Sequence, residues 1–171
     1  NLIEIKNKVY AYDLNEALIN TFNQIKNNPE EVITHATKLI DEFSTIDINT
    51  NGQKGPPKDI DNVTYKSTRE HYYYWTRTKY NESAKNTALS ASYFIFLNKT
   101  GFKGMYREGK NGFNIPYGQK DRKSIPKIID KKTIFSISEL IQNVEFICSD
   151  FKESIDNIED GDFVYFDPPY V

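Results

Sequence analysis

The residues best suited to chemistry are Asp167-Pro168-Pro169-Tyr170, which directly follow the apolar run Phe163-Val164-Tyr165-Phe166. Two consecutive prolines fix the backbone and remove two N–H donors, so this turn is rigid and rich in acceptors. The Asp167 carboxylate and the Pro168 carbonyl, held side by side, can accept both hydrogens of an amino group while the Tyr170 ring stacks on a planar partner. An exocyclic amine of a nucleobase fits that description. Its lone pair is delocalised into the ring, and gripping both hydrogens favours the tetrahedral geometry needed for attack on an electrophilic carbon. A base inside a duplex cannot reach such a turn and has to be flipped out. A bare Pro-Pro pair would mark only a turn leaving a sheet; four residues of this order at a strand end are more specific.

The elements that must position this turn are legible as alternating apolar patterns. Lys8 to Asp13 reads as a short buried strand ended by a carboxylate, and Leu14, Leu18, Ile19, Phe22 and Ile25 then recur at helical spacing. Asn27-Asn28-Pro29 closes that helix, and Pro29 opens another that carries Val32, Ile33, Ala36, Leu39, Ile40 and Phe43 on one face. Ser44 to Asn62 is polar and turn-rich, a loop. Residues 68–80, with Tyr72, Tyr73, Tyr74, Trp75 and Tyr80, and residues 84–98 are both helical, and the aromatic cluster reads as core packing in preference to a base-stacking platform. The glycine-punctuated segment 99–132 predicts a hairpin and loops. Val144 to Cys148 is a strand ended by Ser149-Asp150-Phe151, and Phe163 to Phe166 a strand ended by Asp167. Strands alternating with helices imply an α/β fold with a parallel sheet whose ligands sit beyond the carboxyl ends of the strands, where Asp13, Asp150 and Asp167 would all lie. For Asp150 a helix-capping role is an equally good reading.

Over 171 residues the formal net charge is only −2, which by itself suggests neither nucleic acid nor a membrane surface as partner. The charge is segregated, however. Residues 99–132 carry ten basic against three acidic residues, a net of +7, interleaved with Phe102, Tyr106, Phe113 and Tyr117; residues 133–171 carry a net of −8. Such a basic, aromatic-bearing stretch suits phosphate contacts with stacking side chains, against the plainer reading of a solvated lysine-rich loop. One cysteine and two histidines make a disulfide framework or a zinc site improbable, so no metal is expected. Cys148, mid-strand, reads as a buried structural thiol. No window approaches the run of about 18 apolar residues that a membrane span needs, and the opening residues do not resemble a signal peptide, which predicts a cytosolic protein. The chain does not begin with methionine and stops just after an apolar run, so it reads as a fragment.

With these residues in place, the sequence resembles the Dam-type (D12) class of DNA adenine-N6 methyltransferases, whose active-site motif is Asp-Pro-Pro-Tyr after such a strand. Leu97-Asn98-Lys99-Thr100-Gly101-Phe102-Lys103-Gly104-Met105-Tyr106-Arg107 and Gly112-Phe113-Asn114-Ile115-Pro116-Tyr117-Gly118 look like that class's target-recognition segment, typically Leu-Asn-x-x-Gly-Phe-x-Gly-x-x-Arg and Phe-Asn-Val-Pro-x-Gly. The resemblance runs from Val9 to Tyr170. It implies part of a Rossmann-like methyltransferase sheet carrying an inserted helical and hairpin recognition domain: residues 1–45 and 129–171 as the two parts of the catalytic domain, and 46–128 as the insert. It implies S-adenosylmethionine as cofactor and a direct displacement at its sulfonium methyl by adenine N6. Double-stranded DNA is the implied partner, and a cognate restriction endonuclease would act on the same site without direct contact. The cytosol would be that of a prokaryote or of a phage or viral host.

By position, Asp13 would hold the cofactor's ribose hydroxyls, and Asp150 and Phe151 its adenine, with Asp167 bordering its methionine part. Asp167, Pro168, Pro169 and Tyr170 would form the catalytic turn around the flipped adenine. Lys99, Phe102, Lys103, Met105, Arg107, Asn114 and Pro116 match positions that contact or wedge into DNA, with Arg107 suited to bidentate reading of a guanine and Phe102 to filling the gap left by the flipped base. The chain departs from the class at Lys103, where asparagine is frequent, and at Gln119 and Lys120, which leaves the target open among short palindromes such as GATC or CATG. The class's Phe-x-Gly-x-Gly cofactor loop would precede the Val9 strand and is absent from this chain, as is the class's C-terminal part. The fragment alone is therefore expected to be inactive and the full-length protein active. Two other readings compete: a nucleic-acid-binding module of the same fold that has lost catalysis, against which intact Asp13 and Asp167 weigh, and an RNA or protein-amide methyltransferase, against which the recognition segment weighs.

Overall fold

Val9–Asp13 (β1) runs into the helix Glu16–Asn27 (α1) through Asn15, whose side chain accepts the Leu18 N–H at 3.1 Å and so satisfies one of the open donors of the first turn. The structure is a computed structural model describing residues 8–47, 65–118, 127 and 129–167. Pro29 stands at the first position of α2 (Pro29–Thr45), where its missing N–H has no helical partner to lose. The face foreseen for α2 is buried at Val32, Ile33, Ala36, Leu39 and Phe43; on α1 Ile19 and Ile25 are buried and Leu18 and Phe22 half-buried, while Leu14, which precedes the helix, is 71% exposed and not part of the face. Thr68 and Thr87 cap α3 (Arg69–Glu82) and α4 (Ala88–Thr100) by accepting the N–H groups of His71 and Ser90. α4 is buried nearly all round because it lies at the centre of the helical layer, against α1, α2 and α3.

The aromatic cluster is core. Tyr72, Tyr73, Tyr74 and Tyr80 are buried on α3, and Phe43 of α2 meets Phe96 of α4 edge to face, with ring centroids 5.4 Å apart. Burial holds the phenols of Tyr72, Tyr73 and Tyr80 well above the ordinary tyrosine range and pushes Tyr117 up to about 12. Because the folded state resists losing these protons, its stability is intact below the unfolded value of about 10 and is lost as pH rises from there through 12. On alkaline titration the phenolate absorbance contributed by these buried tyrosines is expected to appear together with the loss of circular dichroism; ionisation of all twelve tyrosines with the circular dichroism unchanged would contradict this.

The polypeptide then forms a short antiparallel hairpin, β2 (Glu108–Gly109) with β3 (Gly112–Phe113), as expected for the glycine-rich segment. A helix that the sequence reading did not foresee, α5 (Lys131–Leu140), follows; it buries Ile134 and Ser138 against α1 and α2. β4 (Val144–Cys148) pairs with β1 in parallel, Val9 opposite Val144 and Asp13 opposite Cys148, and Phe22 of α1 stacks on Phe146 at 5.0 Å. The protein is thus mixed α/β, and the parallel pairing is as expected.

Three further expectations fail. β1 is a strand but not a buried one: Tyr10 and Asp13 are exposed and Val9, Ala11 and Tyr12 only half-buried, because the described sheet has two strands and leaves each an open edge. Residues 163–166 form no regular element and join no ladder among the described residues, and Phe163 and Tyr165 stand 78% and 77% exposed. An apolar run becomes a strand only where an edge accepts its N–H and C=O groups, and the edge of β1 that faces away from β4 carries no described strand. Cys148 is exposed, not buried, because it stands at the last position of β4, where its Sγ reaches only the Leu14 carbonyl at 3.7 Å; its thiol is pushed up, chiefly by desolvation, with Glu16 and Asp13 adding to the shift.

Candidate functional site

The parallel register sets the carboxyl ends of β1 and β4 side by side, so Asp13 and the Ser149-Asp150-Phe151 turn leave the sheet at the same end. Asp13 is exposed, and its Oδ1 accepts the Asn15 N–H at 2.7 Å, which turns the chain into α1. Asp150 caps the 3₁₀ turn Phe151–Asn157 by accepting the Lys152 N–H at 2.9 Å, so the capping reading of this residue is realised. The Phe151 ring, 44% exposed, meets Phe166 edge to face at 6.1 Å. That contact brings the segment ending in Asp167 to the same end of the sheet. Asn157 ties the turn back to β1 by donating to Tyr12 Oη at 2.6 Å. Pro168, Pro169 and Tyr170 lie outside the described residues, as do Lys120, Arg122 and Lys123 of the basic segment. Among the described residues no group of three or more His, Cys, Asp or Glu side chains could hold a metal ion, and no helix is long and apolar enough to cross a membrane.

The second cluster is built on the stretch after α4. The backbones on either side of Gly101 and Gly118 approach closely: Phe102 N–H donates to Pro116 at 2.9 Å and Gly118 N–H to Thr100 at 3.0 Å. A Cβ on Gly118 would come 2.5 Å from the Gly101 carbonyl oxygen and from Phe102 Cα, so only glycine fits there. Between these ties, Phe113, Ile115 and Tyr117 are buried while Asn114 is half-buried and Pro116 exposed, the period-2 alternation of an extended strand. Lys99, Phe102, Lys103, Met105 and Arg107 are exposed as well. Every residue singled out for DNA contact is therefore at least partly accessible. Lys103 holds φ +55°, in the left-handed region that costs a side chain roughly 1 kcal/mol. This is the position where the resembling class frequently has asparagine, which tolerates that conformation.

What the sequence reading missed is the clamp beneath this surface. Tyr73, Arg77 and Asn81 stand at i, i+4 and i+8 on α3 and face the strand together. Tyr73 Oη and Arg77 Nη1 both donate to the Ile115 carbonyl, at 2.9 and 3.1 Å. Asn81 accepts the Phe113 N–H at 3.0 Å and donates to the Phe113 carbonyl at 3.1 Å, so its amide acts as a short strand partner. Gly112, at φ +87°, leaves room for it. The helical spacing of three side chains able to hydrogen-bond was the available signal, hidden among tyrosines that also build the core.

The family described as D12 class N6 adenine-specific DNA methyltransferase matches residues 1–171. The chain is 34% identical to the type II methyltransferase M.MjaIII of Methanocaldococcus jannaschii over 166 residues, covering 95% of this chain and 50% of that protein. It is 33% identical to the type II methyltransferase M1.LlaDCHI of Lactococcus lactis subsp. cremoris over 171 residues, covering 96% and 50%. With the DNA adenine methylase of Escherichia coli strain K12 it shares 26% identity over 159 residues, covering 92% and 47%. The chain spans about half the length of the relatives it matches. On the family match over its whole length, this chain belongs to the D12 class of N6 adenine-specific DNA methyltransferases.

Proposed function

We propose that the full-length protein is a site-specific DNA methyltransferase that moves a methyl group from S-adenosylmethionine to N6 of a flipped-out adenine in a short duplex site. The observation that carries this reading is the parallel pairing of β1 with β4, which gathers Asp13, Asp150 and, through Phe151 and Phe166, the Asp167 segment at one sheet end. In this reading residues 1–45 and 129–171 are the two parts of a Rossmann-like catalytic domain and residues 46–128 the target-recognition insert.

The residues present suit the cofactor chemically. Asp13, an exposed carboxylate at a strand end, would accept from ribose hydroxyls; Asp150 would accept from the adenine amino group and the partly exposed Phe151 ring would pack on its plane. When bound, the cofactor supplies an electrophilic sulfonium methyl. Asp167 and the Pro168 carbonyl would hold the target amine through its two hydrogens and keep its lone pair directed out of the ring plane, and Tyr170 would stack on the base. Lys99 and Lys103 would meet phosphates, Phe102 and Met105 would enter the space beside the flipped base, Pro116 would pack against the duplex, and Arg107 would read a guanine. Duplex DNA is the partner of this activity. The type II methyltransferases among the relatives favour a restriction-linked role in a cytosolic setting, with the endonuclease acting on the same site and not on this protein.

The deciding assay supplies labelled S-adenosylmethionine and duplex DNA to the full-length protein and digests the product to nucleosides. Label is expected in N6-methyladenine alone. Label in a cytosine derivative, in RNA only or in protein would overturn the reading.

A further inference from the structure

We infer that Asn114 is a positioning residue that sets the guanidinium of Arg107 for base reading and does not itself contact DNA. The inference rests on the reading of Arg107 as the guanine-reading side chain. Arg107 and Asn114 stand on opposite arms of the hairpin and are joined three times. The Asn114 N–H donates to the Arg107 carbonyl at 3.1 Å, Arg107 Nε donates to Asn114 Oδ1 at 2.6 Å, and Arg107 Nη2 lies 3.4 Å from the Asn114 carbonyl oxygen. A guanidinium has two edges with paired parallel donors: a side edge formed by Nε and Nη2, and an end edge formed by Nη1 and Nη2. Asn114 occupies the side edge with two acceptors. The end edge, which has no partner among the described residues, is left for O6 and N7 of a guanine.

The surroundings of Asn114 support a role toward Arg107. Its side-chain oxygen is committed to Nε, and its Nδ2 lies over Gly109, where a Cβ would come within 2.5 Å. The next residue toward α3, Phe113, is buried and gripped on both backbone groups by Asn81. A rigid helix thus holds the strand, the strand holds Asn114, and Asn114 fixes an otherwise long and mobile side chain before DNA arrives. Ordering Arg107 in advance lessens the rotamer entropy lost on binding and restricts its fork to one register.

The test measures binding of the full-length protein to duplexes that differ from its methylated site by one base pair at a time. Arg107→Ala identifies the base pair that Arg107 reads. Asn114→Ala is expected to lower discrimination at that same pair by about tenfold, with the salt dependence of binding unchanged. Asn114→Asp, which keeps an acceptor for Nε, is expected to retain the discrimination. In an Arg107→Ala background, Asn114→Ala is expected to add no further loss.

Unchanged discrimination in Asn114→Ala overturns the inference. So does a uniform loss over all duplexes with a salt slope reduced by about one, the signature of a phosphate contact. If Asn114→Ala does not fold, Asn114→Asp decides alone: retained discrimination at the Arg107 base pair supports the inference and lost discrimination there overturns it. A different result, uniform weakening by Arg107→Ala itself, would show that Arg107 reads no base, and the inference about Asn114 would fall with that reading.

Discussion

Asp167→Ala in the full-length protein is expected to reduce methyl transfer to DNA by about 10² to 10³-fold, the range seen when one preorganised group facing a reacting centre is removed. The physical reason is the amine it would hold. An exocyclic amine conjugated with its ring is a poor nucleophile, and two acceptors placed on its two hydrogens are what make its lone pair available. Removing the carboxylate leaves one acceptor. Asp167 is exposed and belongs to no helix or ladder, so the loss is expected without a change in thermal stability. Asp167→Asn keeps a carbonyl oxygen and is expected to fall between the two. Single-turnover transfer of labelled methyl, with the far-ultraviolet circular dichroism of each variant alongside, separates the outcomes. Equal transfer by the alanine variant and the parent would end the catalytic assignment.

The second large effect is structural. Phe43→Ala is expected to destabilise the protein by about 3–5 kcal/mol, the range for deleting a buried aromatic ring. Phe43 is 1% exposed and stands where three helices meet: its ring faces Phe96 of α4 edge to face, Tyr72 of α3 lies 6.0 Å away, and the Arg69 guanidinium sits 5.2 Å from the ring centre. The cavity cannot close easily, because α4 is held on three sides. α3 carries the Tyr73, Arg77 and Asn81 clamp, so loosening this junction also loosens the hairpin it holds. Equilibrium urea unfolding of the full-length variant provides the measurement, with Phe102→Ala as comparison. Phe102 is 45% exposed, and its loss is expected to leave stability nearly unchanged while weakening DNA binding. A loss below about 1 kcal/mol for Phe43→Ala would contradict the packing described, since even exposed caps and pairs reach that value.

Local chemistry was legible in the residues themselves. Pro29 at a helix start, the apolar stripe of α2 and the carboxylate that ends the first strand are decided within a few residues, so they could be read without knowing any partner. The motifs running from Leu97 to Gly118 and from Asp167 to Tyr170 pointed to the family in the same way. α5 went unread because Lys131 and Lys132 continue a basic run and mask Ile134, Ile137 and Ile141, which do recur at helical spacing.

Only the tertiary structure decided which of these elements meet. An apolar run announces a need for burial and says nothing about its partner, so Val144 to Cys148 found β1 while Phe163 to Phe166 has no described ladder and Cys148 ended in solvent. The same reason hid the clamp on the hairpin. Tyr73, Arg77 and Asn81 are ordinary members of a tyrosine-rich helix until a strand more than 30 residues later presents its backbone to them, and Asn114 resembles any polar residue until the hairpin folds it against Arg107. Sequence periodicity records what each element must hide from water. Which carbonyl a side chain answers is set by long-range packing, and that depends on the whole chain at once.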